Sequence, residues 1–125
     1  MNRITDQMLT GTIGELLVQL RLLEHDVQAA PPIKDSGNDL IAVKGECFRA
    51  IQVKTTTRDE FDKGNLGRLF HILAVVQLVD DDNTIYLDQS PVFLIPRDQV
   101  DHVRNRVSEL GPFRMNRDHV AALFR

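Results

Sequence analysis

Three polar residues could share one place because a tight turn would pair the segments that carry them. Asp39 precedes one short apolar run, and Gln52 and Lys54 end a second one. Gly45 suits the first central position of a two-residue hairpin turn with Glu46, so residues whose numbers sum to 91 should face each other. Asp39 would then lie opposite Gln52. Strand alternation places Lys54 on the same face as Gln52.

A carboxylate, an amide and an ammonium group at one end of an apolar ribbon indicate a binding or reaction site, because polar groups are costly to bury unless a ligand or a reaction uses them. Hydrolysis of a phosphodiester needs oxygen ligands for Mg²⁺ or Mn²⁺ and a cation near the phosphate. Asp39 supplies a carboxylate and Gln52 a neutral oxygen. Lys54 could orient the attacking water or stabilise charge on the phosphate. Glu15, on a preceding helix, is a natural second carboxylate.

Each of the four residues also has a plainer interpretation. Lys54 could be exposed at a sheet edge, and Gln52 could be a polar group satisfied by hydrogen bonds across the sheet. Asp39 could cap the turn at residues 36–38, and Glu15 could be an ordinary residue of a helix surface. The plain interpretations weaken jointly, since all four residues would have to reach one place by accident.

The elements that must position these residues follow from periodicity and turn residues. A helix is predicted over residues 13–23, with a start that could lie upstream near Asp6, and its apolar residues are expected to press one broad face against the sheet. That face is Ile13, Leu16, Leu17, Leu20 and Leu23. Strands are predicted at 27–30, 38–44, 47–55, 71–79, 84–87 and 92–95, with a turn at 80–83.

The remaining segments are predicted from charge, glycine and capping residues. Residues 56–68 are polar and are expected to form a mobile loop or a broken short helix. A helix should open at Pro96 and run to Leu110, and Asn116 should cap a last short helix. His71 begins the most apolar strand, and it could either start that buried strand or reach the cleft as a proton shuttle.

The pattern resembles the PD-(D/E)XK nuclease superfamily, and above all archaeal-type Holliday junction resolvases and some intron-encoded homing endonucleases. The similarity covers residue 11 to about residue 56. Its motifs are Gly14-Glu15, Gly37-Asn38-Asp39 and Ile51-Gln52-Val53-Lys54.

The resemblance implies an α/β fold of the restriction-endonuclease type, with a mixed central β-sheet flanked by helices. By position, it implies that Glu15, Asp39 and Gln52 are catalytic residues and metal ligands, that the backbone carbonyl of Val53 is a further ligand, and that Lys54 is the catalytic lysine. Two positions depart from the superfamily pattern. Asn38 stands where the name of the superfamily has Pro, and Gln52 replaces the usual acid, which removes one negative charge from the metal site.

Three residues that continue from the lysine strand are candidates for binding DNA. Thr55, Thr56 and Arg58 are well placed to donate hydrogen bonds to phosphates beside the cut. Threonines also suit a plain edge strand.

Composition sets the broad class. The 125 residues, 42% hydrophobic and 26% charged, predict one globular domain over residues 1–125. The resemblance implies that this domain is nuclease-like. We expect a cytoplasmic protein, since there is one cysteine and neither an apolar signal segment nor a membrane-spanning stretch. The net charge of −3 is not that of a typical nucleic-acid-binding protein. Residues 97–125, however, hold six arginines against four acids, which is either local character or ordinary surface variation.

Three functions remain open from the sequence. The first is a Mg²⁺-dependent DNA endonuclease, which at this length is expected either to select a branched or junction structure or to read DNA as a homodimer. The second is a nuclease-fold module of weak or no catalytic activity that binds nucleic acid or a protein partner. The third is a small interaction protein in which the polar cluster is structural. Metal-dependent cleavage separates the first from the others, and salt-dependent DNA affinity separates the second from the third.

Overall fold

A computed structural model describes residues 6–34, 39–64, 66–67, 69–82 and 84–125, with only the backbone of Gln7. The fold is α/β, as predicted, and is built on a mixed five-stranded sheet flanked by helices. The strand order is β1-β2-β3-β4-β7, with β3 and β4 parallel and the other neighbours antiparallel. The elements are α1 (Asp6–Leu23), β1 (Gln28–Ala30), β2 (Leu40–Lys44), β3 (Cys47–Thr56), β4 (Ile72–Gln77), β5 (Asp80–Asp81), β6 (Thr84–Ile85), β7 (Val92–Pro96), α2 (Arg97–Val100) and α3 (Arg117–Leu123).

The β2–β3 hairpin has the predicted register. Leu40 pairs with Ile51 and Lys44 pairs with Cys47, so the paired numbers sum to 91. Gly45 has a φ of +60°, the left-handed conformation that glycine adopts at low cost and that this tight turn requires. The backbone N–H of Asp39 donates to the carbonyl of Ile51 at 3.0 Å, which continues the ladder one residue beyond β2.

The sheet separates two apolar cores. On one face α1 and α3 pack against β2, β3 and β4 through residues that include Leu17, Leu22 and Val120. The other face of β4 and β7 is covered by side chains from loops and short helices, including Phe61 and Leu110. Strand β4 is buried along most of its length, because it lies inside the sheet between β3 and β7 with a core on both faces.

The helix α1 reaches upstream to at least Asp6, as the upstream alternative predicted, but its predicted apolar face is only partly right: Leu17 is buried and Ile13 packs against the core, whereas the other three residues are exposed. The buried residues are Leu17, Val18 and Leu22, whereas Leu16, Leu20 and Leu23 are 53%, 55% and 59% exposed. Gly14 explains the orientation, since it is buried where α1 meets β3, and a Cβ there would overlap the side chain of Thr55. A helix packs most closely where it carries no side chain, so Gly14 sets the face that contacts the sheet.

The predicted helix over residues 97–110 is also wrong. Only Arg97–Val100 is helical, and Val107–Glu109 forms a separate 3-10 turn. The Nζ of Lys63 donates to the carbonyls of Val100 and Val103 at 3.0 and 2.6 Å, so the helix ends there with its carbonyls satisfied by a side chain. Val100, Val107 and Leu110 recur at helical spacing, but they are buried in the second core from separate turns and not from one continuous helix.

Other segments follow the sequence more closely. Asn116 caps α3 as predicted, with its side-chain oxygen accepting from the N–H of His119 at 2.9 Å. The predicted turn at 80–83 is a small β5–β6 hairpin, and the predicted strand at 84–87 ends at Ile85 because a 3-10 turn begins at Leu87. The described part of 56–68 has no helix, so the broken short helix is wrong there.

Within the described residues, no helix has the length and apolar character needed to cross a membrane.

Candidate active site

The side chain of Asp39 lies along the edge of β3 where β2 stops. Strand β2 pairs with β3 only as far as Ile51. Two residues further on, the N–H of Val53 donates to Oδ2 of Asp39 at 2.8 Å, so the carboxylate takes the place of the next strand's carbonyl. The N–H and C=O of a strand residue point to the same side, which directs the carbonyl of Val53 toward this edge too. A carboxylate and a backbone carbonyl, both oxygen donors, therefore meet at the end of the hairpin.

Gln52 contacts Asp39 across the hairpin, and half of its amide is left unsatisfied. Its Nε2 donates to Oδ2 of Asp39 at 3.1 Å, so the two side chains that the register brings opposite each other do meet. Its Oε1 is buried and has no hydrogen-bond partner among the described residues. A buried oxygen without a partner costs free energy unless a ligand or water completes it. The plainer interpretation of Gln52, a polar group satisfied by hydrogen bonds across the sheet, therefore holds for Nε2 but not for Oε1.

The carboxyl group of Glu15, on α1, interacts electrostatically with the carboxylate of Asp39 at the edge of β3. Burial and the negative charge of Asp39 raise the pKa of the Glu15 carboxyl above its usual value of 4.5. The contact of Gly14 with Thr55 holds this turn of α1 against β3 and places the next residue, Glu15, at the strand edge. Two neighbouring carboxylates repel each other when both are ionised, and such pairs commonly bind a divalent cation.

A cleft of about 400 Å³ opens between the first turns of α1 and the end of β3. Glu15, Val53 and Lys54 line it, whereas Asp39 and Gln52 lie outside its lining and join it through the hydrogen bond to Val53. Lys54 is half-buried and, among the described residues, forms no hydrogen bond or ion pair. Its ammonium group is therefore available to an anion that enters the cleft.

The structure resembles that of a nuclease. The solved structure of a bacterial homing endonuclease, I-Ssp6803I, matches 97% of this chain and 93% of its own, with a TM-score of 0.64 and 15% sequence identity. This chain shares that fold. No model of a protein family and no curated protein sequence matches it. At 15% identity the likeness concerns the fold, and the residues of the cleft have to carry any argument about activity.

The residues at the cleft fit a hard cation with oxygen ligands. Glu15 and Asp39 provide carboxylates, and Oδ2 of Asp39 already accepts two hydrogen bonds, so Oδ1 is the oxygen left for a ligand. The unpartnered Oε1 of Gln52 and the Val53 carbonyl add neutral oxygens. Mg²⁺ is held in this way by one or two carboxylates together with water and substrate oxygens. The described residues contain no group of three or more His, Cys, Asp or Glu side chains that could hold a metal.

The three predicted DNA-binding residues have different surroundings. Thr55 packs against Gly14, and the hydroxyl of Thr56 is occupied, since it donates to the carbonyl of Glu60 at 2.7 Å and accepts from the N–H of Arg58 at 3.1 Å. Both threonines still line the cleft. The side chain of Arg58 is exposed at its rim. Of the three, Arg58 has the side chain best able to donate to a phosphate.

His71 has a structural contact that argues against a proton shuttle. The ring Nδ1 of His71 accepts from the backbone N–H of Ala50 at 2.9 Å, and the backbone N–H of His71 donates to the carbonyl of Ala50 at 2.8 Å. His71 is exposed and precedes β4, so it does not begin the buried strand either.

The proposed turn cap by Asp39 falls on residues 36–38, which lie outside the described residues, as do Gly37 and Asn38 of the motif.

Two arginines near the cleft were not predicted as site residues. Arg104 and Arg106 line a second cleft that shares Thr55, Thr56 and Arg58 with the first. They are more than forty residues from Thr56 in sequence and belong to a segment that was predicted as helix. The excess of arginine in residues 97–125 was the available signal, but it does not say which arginine reaches the site.

Proposed function

We propose that the protein is a Mg²⁺- or Mn²⁺-dependent DNA endonuclease whose reaction centre lies at the open edge of β3. The observation that carries the proposal is the hydrogen bond from Gln52 to Asp39, with the Gln52 Oε1 left buried and unpartnered, and with Asp39 near enough to Glu15 for its charge to raise the pKa of that carboxyl. The likeness of the fold to that of a bacterial homing endonuclease supports the two nuclease-fold functions over the small interaction protein, and the residues of the cleft are the argument for cleavage. We assign the chain to the PD-(D/E)XK group as one domain, with Gln52 in the place of the usual acid.

Six residues in the cleft or beside it have roles in this proposal. Glu15 and Asp39 would hold the cation through their carboxylates, and Gln52 and the Val53 carbonyl would be neutral ligands. The cation, when bound, supplies positive charge at the reacting phosphate. The ammonium group of Lys54 orients the attacking water and stabilises the negative charge that grows on the phosphate oxygens, since a compact cation in a partly enclosed cleft acts strongly at short range. Arg58 at the rim binds a phosphate of the same strand.

The substrate we propose is branched or junction DNA.

The active form we propose is a homodimer. We propose that a second copy of the chain packs against the apolar groove formed by α1 and β1, which is lined by Leu16, Gln19, Leu20, Leu23, Gln28 and Ala29. None of the described residues that line this groove is charged, so two copies of the same surface can meet there without repulsion between like charges. The single cysteine fits a reducing compartment, and we propose the cytoplasm.

The test is cleavage of supercoiled plasmid, nicked duplex and a four-way junction with Mg²⁺, with Mn²⁺ and with EDTA. Purified protein should cut with either metal and not with EDTA, and Lys54→Ala should lower the cleavage rate at least about a hundredfold, the loss expected when a group that stabilises transition-state charge is removed. Binding of the same DNA in EDTA should change little, because one cation among several contacts contributes a small part of the affinity.

Lys44→Ala is the matched control. Lys44 is also half-buried and lies on the same hairpin, but its Nζ contacts the carbonyl of His25 at 3.5 Å, away from the cleft. This variant should cut as the parent does. Equal cleavage by Lys54→Ala and the parent would refute the assignment of the reaction centre. Metal-independent DNA binding without any cleavage would instead identify a nuclease-fold binding module.

A further inference from the structure

A second cleft continues from the proposed reaction centre toward the segment that contains Arg104 and Arg106. Its volume is about 580 Å³, and Thr55, Thr56 and Arg58 line both clefts. We refer to it as the arginine groove. The residues from β3 form one side, and Arg104, Asn105 and Arg106 form the other. A DNA strand that lies with one phosphate beside Lys54 would therefore enter the arginine groove with its neighbouring phosphates.

The far wall of the arginine groove is anchored by backbone and side-chain contacts of Asp59. The N–H of Val107 donates to the carbonyl of Asp59 at 2.7 Å, and the N–H of Phe61 donates to the carbonyl of Asn105 at 3.2 Å. The carboxylate of Asp59 accepts from the N–H and the hydroxyl of Ser108 at 2.8 and 3.1 Å. Below these contacts, Phe61 and Val107 are buried in the second core. The two arginines thus project from a segment that is held in place.

The ion pairs of these arginines are weak enough to be exchanged. Arg104 lies 3.7 Å from Glu109, and Arg106 lies 3.8 Å from Asp59. Both distances exceed that of a hydrogen bond, and the arginine side chains are 83% and 58% exposed. Surface pairs of this kind contribute about 0–1 kcal/mol. A phosphate that accepts two parallel hydrogen bonds from a guanidinium group is the better partner.

The charge balance of the arginine groove favours an anion, though only slightly. Arg58, Arg104 and Arg106 line it together with two carboxylates, those of Glu60 and Asp62. The Oδ1 of Asp62 already accepts from the N–H of Gly64 at 2.7 Å, which draws part of its charge toward its own loop. The rest of the chain is acidic, since residues 1–96 hold nine basic and fourteen acidic residues. The arginine groove is therefore a place where a polyanion can approach an acidic molecule.

We propose that the arginine groove binds the sugar–phosphate backbone of the DNA strand next to the cut, with Arg104 and Arg106 donating to its phosphates. The proposal rests on the proposed endonuclease function and adds a site that holds the substrate in register with Lys54. Because the contacts are to phosphates, they contribute affinity and position and do not read the base sequence.

The test is DNA affinity as a function of salt, measured by fluorescence anisotropy in EDTA so that no cleavage occurs. The variant is Arg104→Gln combined with Arg106→Gln. The control is Arg114→Gln combined with Arg117→Gln, which removes the same charge from two exposed arginines of residues 97–125 that do not line the arginine groove. Each lost phosphate contact should lower the slope of log affinity against log salt by roughly 0.9, so the double variant should lose nearly 2 units of slope. Its affinity should fall about tenfold or more.

The outcomes separate this proposal from the endonuclease proposal. If the double variant loses slope and affinity, and the control keeps them, the arginine groove is supported. If both variants bind with the parent's slope while the parent still cuts DNA in Mg²⁺, the arginine groove is refuted and the endonuclease stands. A parent that neither binds nor cuts DNA refutes both. Arg104→Gln alone leaves the contacts of Asp59 untouched, so it serves if the double variant is less stable. This single variant should show about half of the decrease in slope that is expected for the double variant.

Discussion

Glu15 is the residue whose ionisation reports most directly on the site. Its raised pKa means that the folded protein holds this proton more tightly than the unfolded chain does. The stabilising effect of the proton is present in acid, below the usual pKa of 4.5, and is lost as the pH rises through the higher pKa of the folded state. At neutral pH, without metal, the ionised Glu15 therefore destabilises the fold, through its partial burial and through repulsion from Asp39.

Replacing Glu15 with Gln should stabilise the protein in the absence of metal and reduce the stability that it gains from Mg²⁺. In EDTA at neutral pH, Glu15→Gln should melt at a higher temperature than the parent, and the difference should shrink as the pH falls to about 4. With Mg²⁺ the parent should gain more stability than the variant, because metal binding to the folded state stabilises by mass action. Thermal melts at two pH values with and without Mg²⁺ measure both effects. Equal gains from Mg²⁺ in the two proteins would place Glu15 outside the metal site.

Gln52 tests whether the site is a metal centre with one acid fewer than usual. Gln52→Glu replaces the donor that holds Oδ2 of Asp39 with a second carboxylate, so the protein without metal should lose stability at neutral pH and lose less in mild acid. An ionised oxygen is a stronger ligand than an amide, so calorimetry should find tighter Mg²⁺ binding. Gln77→Glu is the control, since the Gln77 side chain donates to the carbonyl of Arg58 and would lose its bond without gaining a carboxylate neighbour from the site. No difference in Mg²⁺ affinity between Gln52→Glu and the parent would contradict the proposed ligand set.

The contact of α1 with β3 is the element-scale feature that positions Glu15. Gly14→Ala would place a methyl group within 2.8 Å of the Cβ and Cγ2 of Thr55 and closer still to its hydroxyl, so the helix has to move away from the strand. Overpacking of this kind costs about 1–3 kcal/mol. Gly11 lies in the same helix, and a Cβ there meets nothing within 4 Å. Gly11→Ala should instead stabilise the fold by up to about 1 kcal/mol, because alanine is the better helix former.

Chemical denaturation of these two variants measures the opposite changes in the free energy of unfolding. Gly14→Ala should also lose cleavage activity under conditions in which it is folded, because Glu15 moves with the helix. A Gly14→Ala protein as stable as Gly11→Ala would mean that α1 does not approach β3 as closely as its packing on Thr55 requires.

The elements also differ in how well the sequence predicts them. The hairpin register follows from the turn at Gly45, since a local turn determines every pair in the ladder. The orientation of α1 does not follow from periodicity, because the helix has leucines on more than one side and a buried glycine selects the face. The segment at 101–106 depends on Lys63 and Asp59, more than thirty residues away, and no local pattern announces contacts of that range.

At the scale of the whole molecule, the cluster of Asp39 and Gln52 was predictable because the hairpin alone creates it. The position of Glu15 depends on how the helix packs on the sheet, and the arginine groove depends on contacts between distant loops. The cleft is therefore assembled from one local motif and two tertiary contacts. The leucines of α1 that face away from the sheet remain as a surface that neither core covers.

That surface carries the prediction of a homodimer. A stable interface buries about 800 Å² on each partner and has an apolar centre, and Leu16, Leu20 and Leu23 provide such a centre, each more than half exposed. Leu16→Gln with Leu20→Gln should convert a dimer into a monomer in sedimentation experiments over a range of concentrations, since glutamine keeps the helix propensity while removing the apolar surface. Ile33→Gln with Phe48→Gln, which alters two exposed apolar residues elsewhere, should leave the dimer intact. A parent protein that sediments as a monomer at every concentration would contradict the homodimer, and a dimer that survives the α1 double variant would assign the interface to another surface.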